Sequence, residues 1–298
     1  MAKKSLAAKG PRKKKQIERI VLWGIIVSVI AIIVLLWGPF NKYRKAKQTA
    51  PVKKQELASR QPREKRDWTR TSQPPEISAV AAIVIDDLGQ DLRPAEEILA
   101  LRDRVTLAVM PNLPRSRKIA ELARQQGREV IVHMPMEAKG KNGKREAPGM
   151  LRADMTPMEF IAAVNENLDS VPGAVGINNH EGSSLTENRE AMTFLVSELK
   201  ARNLFLLDSM TSPKSVALSV AREFGLKAAR RDVFLDNESD NPSAIRKQLA
   251  ELGQLAKQHG RAIGIAHPHP ATIAEIRTWL SEAAHEGIEI VPLSRLMQ

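Results

Sequence analysis

The sequence contains no cysteine. That excludes a disulfide framework, a thiolate metal site and a cysteine nucleophile. It is compatible with an oxidising compartment but does not point to one. Aromatic residues make up only 4% of the chain, too few for the stacking platforms that grip single-stranded nucleic acid. No glycine-rich phosphate loop follows a predicted strand, so nucleotide binding has no support. No internal repeat is visible. Acidic residues are scarce at one end only. Residues 1–70 carry 19 Lys+Arg against Glu18, Glu56, Glu64 and Asp67, whereas residues 71–298 carry 27 against 30 acids. The net charge of +12 therefore belongs to the N-terminal tail, and the rest of the chain does not read as a nucleic-acid-binding domain.

What is present begins with one long apolar run. Residues 20–40, IVLWGIIVSVIAIIVLLWGPF, hold no charge. As a helix they span about 31 Å, the thickness of a bilayer's hydrocarbon core. Trp23 and Trp37 stand near its ends, where aromatic side chains favour the membrane interface. We read a transmembrane helix and not a cleaved signal peptide, because the run is long and WGPFNKYRK offers no small-x-small cleavage site. Both flanks are basic, with eight Lys+Arg in residues 1–19 and seven in 42–60. The expectation is a short cytoplasmic tail (1–19), a single pass (20–40) and an exported domain. Residues 41–76 are rich in Lys, Arg, Gln, Pro and Ser, and read as a flexible linker.

The globular part runs from 77 to 298. Short apolar runs alternate with amphipathic stretches. Strands are predicted at 79–85, 105–110, 129–133, 174–178, 204–207, 233–235 and 262–266, with an eighth at 288–292. Helices are predicted at 94–101, 114–126, 156–168, 187–202, 213–224, 242–258 and 272–285. Thr156-Pro157 and Asn241-Pro242 each set a capping residue before a proline at the first helical position. This alternation implies a parallel sheet, and seven or eight units in such a length suggest a closed barrel.

Polar residues gather at the predicted strand C-termini: Asp86-Asp87, His133 and then Glu137, Asn178 to Ser183, Asp208-Ser209, Asp236, and His267-Pro268-His269-Pro270. In a parallel barrel these ends share one face, where active sites are built. Each alone has a structural reading. Asp-Asp can be a turn, His133 a core histidine, Asp208 a cap and Glu137 a solvated carboxylate. His259 and His285 fall in the last turns of helices, where a histidine favours the helix dipole. Together, acids and imidazoles converging on one rim point to chemistry. One Asp with two His is a ligand set for zinc, with manganese, iron, cobalt or nickel also possible. A second Asp can take a proton from water, and another His can protonate a leaving nitrogen. That combination describes metal-assisted hydrolysis of an amide.

The stretches AIVIDDLG (82–89), GREVIVHMPM (127–136), VGINNHEGSSLTEN (175–188), LFLLDSMTS (204–212), RDVFLDN (231–237) and IGIAHPHPAT (263–272) resemble the divergent polysaccharide deacetylases. These are an outlying branch of the metal-dependent carbohydrate deacetylases related to the nodulation-factor deacetylase. The resemblance implies a distorted (β/α)7-type barrel. It implies Asp86 as general base, Asp87 and His133 as metal ligands, and His267 as the acid near the leaving group. The family's second histidine ligand would stand where this chain has Glu137, so His180, from the next strand, is the candidate replacement. Asp208 is the candidate to orient His267, and His269 a further ligand or support. The implied protein is a single-pass inner-membrane hydrolase with its domain in the periplasm, acting on an N-acetylated envelope glycan such as peptidoglycan. Rival readings are an envelope-binding protein that kept the barrel and lost turnover, an amidase or esterase of other specificity, and a reversed topology.

Overall fold

The computed structural model describes residues 77–102, 104–140 and 147–298. The basic tail 1–19, the apolar run 20–40 and the linker 41–76 lie outside them, together with the expectations made there. Among the described residues no helix is long and apolar enough to cross a membrane. Among the described residues the hydrophobic core draws on residues from Ala79 to Met297.

The elements are β1 (Ala79–Leu88), α1 (Leu92–Leu99), β2 (Thr106–Val109), α2 (Ser116–Gln125), β3 (Val130–Met136), α3 (Pro157–Ser170), β4 (Gly176–Glu181) and α4 (Arg189–Ala201). They continue with β5 (Phe205–Asp208), α5 (Ala217–Glu223), β6 (Ala228–Arg230), β7 (Val233–Phe234), α6 (Pro242–His259), β8 (Arg261–Ala266), α7 (Pro270–His285) and β9 (Ile288–Ile290). All seven predicted helices form. Thr156 starts α3 with a reciprocal capping box to Glu159, and Asn241 caps α6 through the amide of Ala244. Gly260 ends α6 at φ +78°, a conformation that costs glycine little.

The strands pair in the order β6-β5-β4-β3-β2-β1-β8-β7, and every pairing is parallel. β9 joins β1 at Ala79–Ala81, ahead of the point where β2 takes over at Val84. β6 and β7 are the two ends of this path and do not pair with each other. The chain between them steps across the seam. Arg231 N donates to Asp208 O in β5, and the next amide, Asp232 N, donates to Ile263 O in β8. The curved sheet is thus joined at its seam by one crossing of chain and not by a ladder of strand hydrogen bonds. The sequence reading had one strand here, 233–235, and omitted β6. Ala-Ala-Arg is too short and too weakly patterned to register as a strand.

Side-chain alternation builds two cores. On the outer face, residues such as Ala81, Ile83 and Ile85 of β1 pack under the helices. On the inner face, Ala82 and Val84 of β1, Ala108, Ile131, Leu207, Ile263 and Ile265 fill the barrel. The C-terminal segment plugs this interior with Val291, Leu293, Leu296 and Met297. Arg261 donates to Leu296 O and Ala228 N to Gln298 O, which ties the plug to the N-terminal ends of β8 and β6. The opposite, C-terminal end of the barrel is left for the polar residues.

Candidate metal and catalytic site

Strand parity selects which polar residues point inward. Asp86 continues the inner series Ala82, Val84; His133 follows Ile131; His180 follows Asn178; His267 follows Ile263 and Ile265. Each is the last inward side chain above the apolar interior. Asp87 has the wrong parity. It reaches the site because its backbone is left-handed, φ +56°, at a break in the β1–β2 register between Ile85 and Leu88. A non-glycine residue held there is strained, and such strain concentrates at functional positions.

Three ligand-type atoms meet. His133 Nε2 lies 3.1 Å from Asp87 Oδ1, His180 Nδ1 lies 3.0 Å from the same oxygen, and the two nitrogens are 3.1 Å apart. A cation about 2.1 Å from each atom would separate neighbouring donors by about 3.0 Å in an octahedral set and about 3.4 Å in a tetrahedral one. The observed triangle is compact enough for one cation to reach all three atoms. Its chemistry also fits. Asn178 Nδ2 donates to Asp86 Oδ1 (2.8 Å), so Asn178 Oδ1 is the atom that accepts from His133 Nδ1 (2.9 Å). The proton on Nδ1 leaves the Nε2 lone pair facing the triangle whenever the ring is neutral. The register sets this up, because His133 and Asn178 are direct neighbours across β3 and β4. The residues Asp87, His133 and His180 therefore suit a divalent transition metal.

Two further groups flank the triangle. Asp86 is 3% exposed, and its Oδ2 lies 3.7 Å from His133 Nε2. Burial pushes its carboxyl above the usual carboxylate range, against the pull of His133 and the Asn178 amide. Burial acts on Asp87 in the same sense, but hydrogen bonds with His133 and His180 outweigh it and hold that carboxyl well below the usual range. Burial alone would depress His133. The Asp86 and Asp87 carboxylates overcome it and lift the imidazole to about 9. On the other side, His267 Nε2 is 3.8 Å from Asp87 Oδ2. Its Nδ1 donates to Asp236 Oδ1 at 3.1 Å, and this bond raises the His267 pKa although burial opposes it.

Asp236, then, is the carboxylate behind His267, and the expectation that gave this task to Asp208 is corrected. Asp208 Oδ1 accepts from Met210 N and Oδ2 from Ser215 Oγ, which shapes the turn after β5. Parity explains the difference. In β5, Leu206 faces the helices, so Asp208 does too; in β7, Phe234 faces the interior, so Asp236 does too. The sequence reading gives neither Asp236 nor Asn178 a role, and the alternation in VFLD does not by itself say which face of the sheet Asp236 takes. Asp236, His267 and His269 also cluster closely enough to be considered as ligands. Asp236 Oδ2 is already taken by His267 N and Thr272 Oγ1, and its Oδ1 by the His267 ring, so that carboxylate is committed within the protein. His269 is exposed at the start of α7. Glu137, standing where the family has its second histidine, turns away and accepts from Ala153 N at 2.9 Å.

Comparison with known proteins agrees with this architecture. The profile described as divergent polysaccharide deacetylase matches residues 83–297. An uncharacterised protein of Escherichia coli K12, YibQ, is 37% identical over 199 residues, which is 67% of this chain and 61% of that protein. The match thus spans less than two thirds of that relative's length. An uncharacterised protein of Haemophilus influenzae Rd is 35% identical over 215 residues, 72% of this chain and 75% of that one. The crystal structure of an uncharacterised protein from Agrobacterium tumefaciens C58 superposes with a TM-score of 0.71 at 26% identity, covering 74% of this chain and 90% of the other. A match over nearly the whole described domain, on a parallel barrel whose rim carries the acids and imidazoles, makes this chain a member of the divergent polysaccharide deacetylase family.

Proposed function

We propose that the protein is a membrane-anchored, metal-dependent hydrolase that removes acetyl groups from the nitrogen of an envelope glycan such as peptidoglycan. The observation that carries this reading is the triangle of Asp87, His133 and His180 atoms, 3.0–3.1 Å on each side, flanked by a buried carboxylate and a carboxylate-backed imidazole. Asp87, His133 and His180 would hold the cation, with zinc the first choice and manganese, cobalt, nickel or iron as alternatives. When bound, the cation supplies Lewis-acid polarisation of the amide carbonyl and lowers the pKa of a water toward ~7.

The remaining work falls to the chain's own side chains. Asp86 accepts the proton of the attacking water, a role suited to a carboxyl raised by burial. The water oxygen adds to the acetyl carbon, and the carbon–nitrogen bond then breaks. His267 Nε2 gives its proton to the departing amine. Asp236 keeps the other nitrogen protonated and stabilises the charged ring before transfer. Family membership supports the sugar amide as substrate, the apolar run 20–40 supports the anchor, and the basic tail 1–19 supports a periplasmic domain.

The test is acetate release from N-acetylated glycan fragments, including peptidoglycan, by metal-loaded protein, with an ester panel alongside. We expect metal-dependent release that Asp86→Asn abolishes. His180→Ala should lose stoichiometric metal and keep the fold. Full loading with no acetate from any glycan would end the deacetylase reading. A reporter fused after Gln298 tests the side of the membrane.

A further inference from the structure

The end of the barrel remote from the catalytic rim carries a second concentration of charge. A groove of about 930 Å³ opens there, between the C-terminal end of α7, the α1–β2 connection and β9. Arg102, Arg104, Arg277 and Arg295 line it, with His285 beside them. Among the described lining residues the one carboxylate is Glu289, which pairs with Arg295 at 3.1 Å. Arg102, Arg104 and Arg277 are exposed and form no hydrogen bond or ion pair among the described residues. The intervening Asp103 lies outside those residues. This concentration is not a property of the domain's composition, since residues 71–298 hold fewer basic than acidic side chains.

Two observations select an occupant. The groove's chemistry is cationic: exposed guanidinium forks, which match phosphate oxygens in pairs, line it beside the buried Leu280 and Ile288. The chain also comes into the domain at this groove. Ile77, the first described residue, is 61% exposed and lines it. Directly upstream in sequence lie the seven Lys+Arg of 42–60 and the uncharged run 20–40. A second copy of the chain would bring like charges together.

We propose that this groove docks the domain on an anionic lipid surface, the arginines taking headgroup phosphates. The proposal rests on the anchored reading above and adds an orientation to it. With the N-terminal ends of the strands against the bilayer, the rim of Asp87, His133 and His180 faces away from the membrane, toward a polymer outside it. The linker then supplies reach, and the groove supplies direction.

The experiment uses residues 71–298, which fall within a single compact unit, Arg70–Gln298. Co-sedimentation is measured with phosphatidylcholine vesicles, with and without phosphatidylglycerol. We expect partitioning onto the anionic vesicles only, weakening as salt rises. Each arginine contributes about fivefold, so Arg102→Gln with Arg277→Gln should weaken it by about 25-fold. Lys118→Gln with Arg222→Gln, exposed on α2 and α5, should leave it unchanged. Equal losses in the two double variants would overturn the proposal, as would equal binding to uncharged vesicles. Displacement by inorganic phosphate at constant ionic strength would also overturn it and identify a small-anion site. Partitioning of this fragment involves neither turnover nor the anchor. Its failure is therefore distinguishable from failure of deacetylation or of membrane insertion.

Discussion

Replacing Asn178 separates metal binding from proton transfer. The side chain is fully buried, accepts from His133 Nδ1 at 2.9 Å, and donates to Asp86 Oδ1 at 2.8 Å and Ser209 Oγ at 3.3 Å. Asn178→Ala strips a buried imidazole N–H and a buried carboxylate of their partners. Leaving such groups unsatisfied costs about 1–3 kcal/mol each, so folding stability should fall by about 2–6 kcal/mol. The His133 ring also loses the bond that fixes its tautomer, which should weaken metal affinity about 10–100-fold. Asn178→Asp should behave differently. The introduced carboxylate still accepts from His133 Nδ1, so metal affinity should stay near the wild-type value. It stands against Asp86, however, and two carboxylates at hydrogen-bond distance share a proton. Asp86 can then no longer take one from water, and turnover should collapse. The assay is calorimetric titration of metal-free protein with zinc, paired with acetate release and a thermal melt of each variant. Wild-type affinity in a folded Asn178→Ala protein would refute the tautomer argument.

Asp236→Asn should cut turnover by about 100-fold or more with metal content unchanged, because His267 loses its carboxylate partner. Asp208→Asn should spare turnover and lower the melting temperature, and the reverse pattern in steady-state kinetics would give the orienting role to Asp208. Metal affinity should rise with pH. In the metal-free protein His133 keeps a proton up to about 9, and that proton must leave before the nitrogen can bind a cation. Affinity should therefore climb by up to about tenfold per pH unit through neutrality and level off once the imidazole is neutral. A chelator competition that gives the same affinity at acid and alkaline pH would contradict it. Gly176→Ala should destabilise the domain by about 1–3 kcal/mol, because the added methyl would stand 2.4 Å from the Phe205 ring in the inner core. A melting temperature equal to the wild type's would show that the ring can retreat.

Much of this protein was legible in its sequence because the relevant information is local. Alternation along 82–86, 131–133 and 263–267 fixes which side chains face inward, and the apolar members of each series predict where the polar one ends up. Capping residues and prolines fix the starts of α3 and α6 in the same way. From these, Asp86, His133, His180 and His267 belong to one rim. Three decisions lie beyond such reading. Asp87 joins the site only because one backbone torsion turns left-handed at a register break, which depends on how β1 seats against β2. Asp236 displaces Asp208 because β7 pairs with β8, across a seam that a single crossing of chain has to bridge. The four arginines of the distal groove are spread from residue 102 to residue 295 and meet only when the barrel curves round. Periodicity is a property of neighbours and is written in the chain. A torsion at a bulge, a seam and a groove are settled by contacts between segments far apart in sequence, so only the folded structure could decide them.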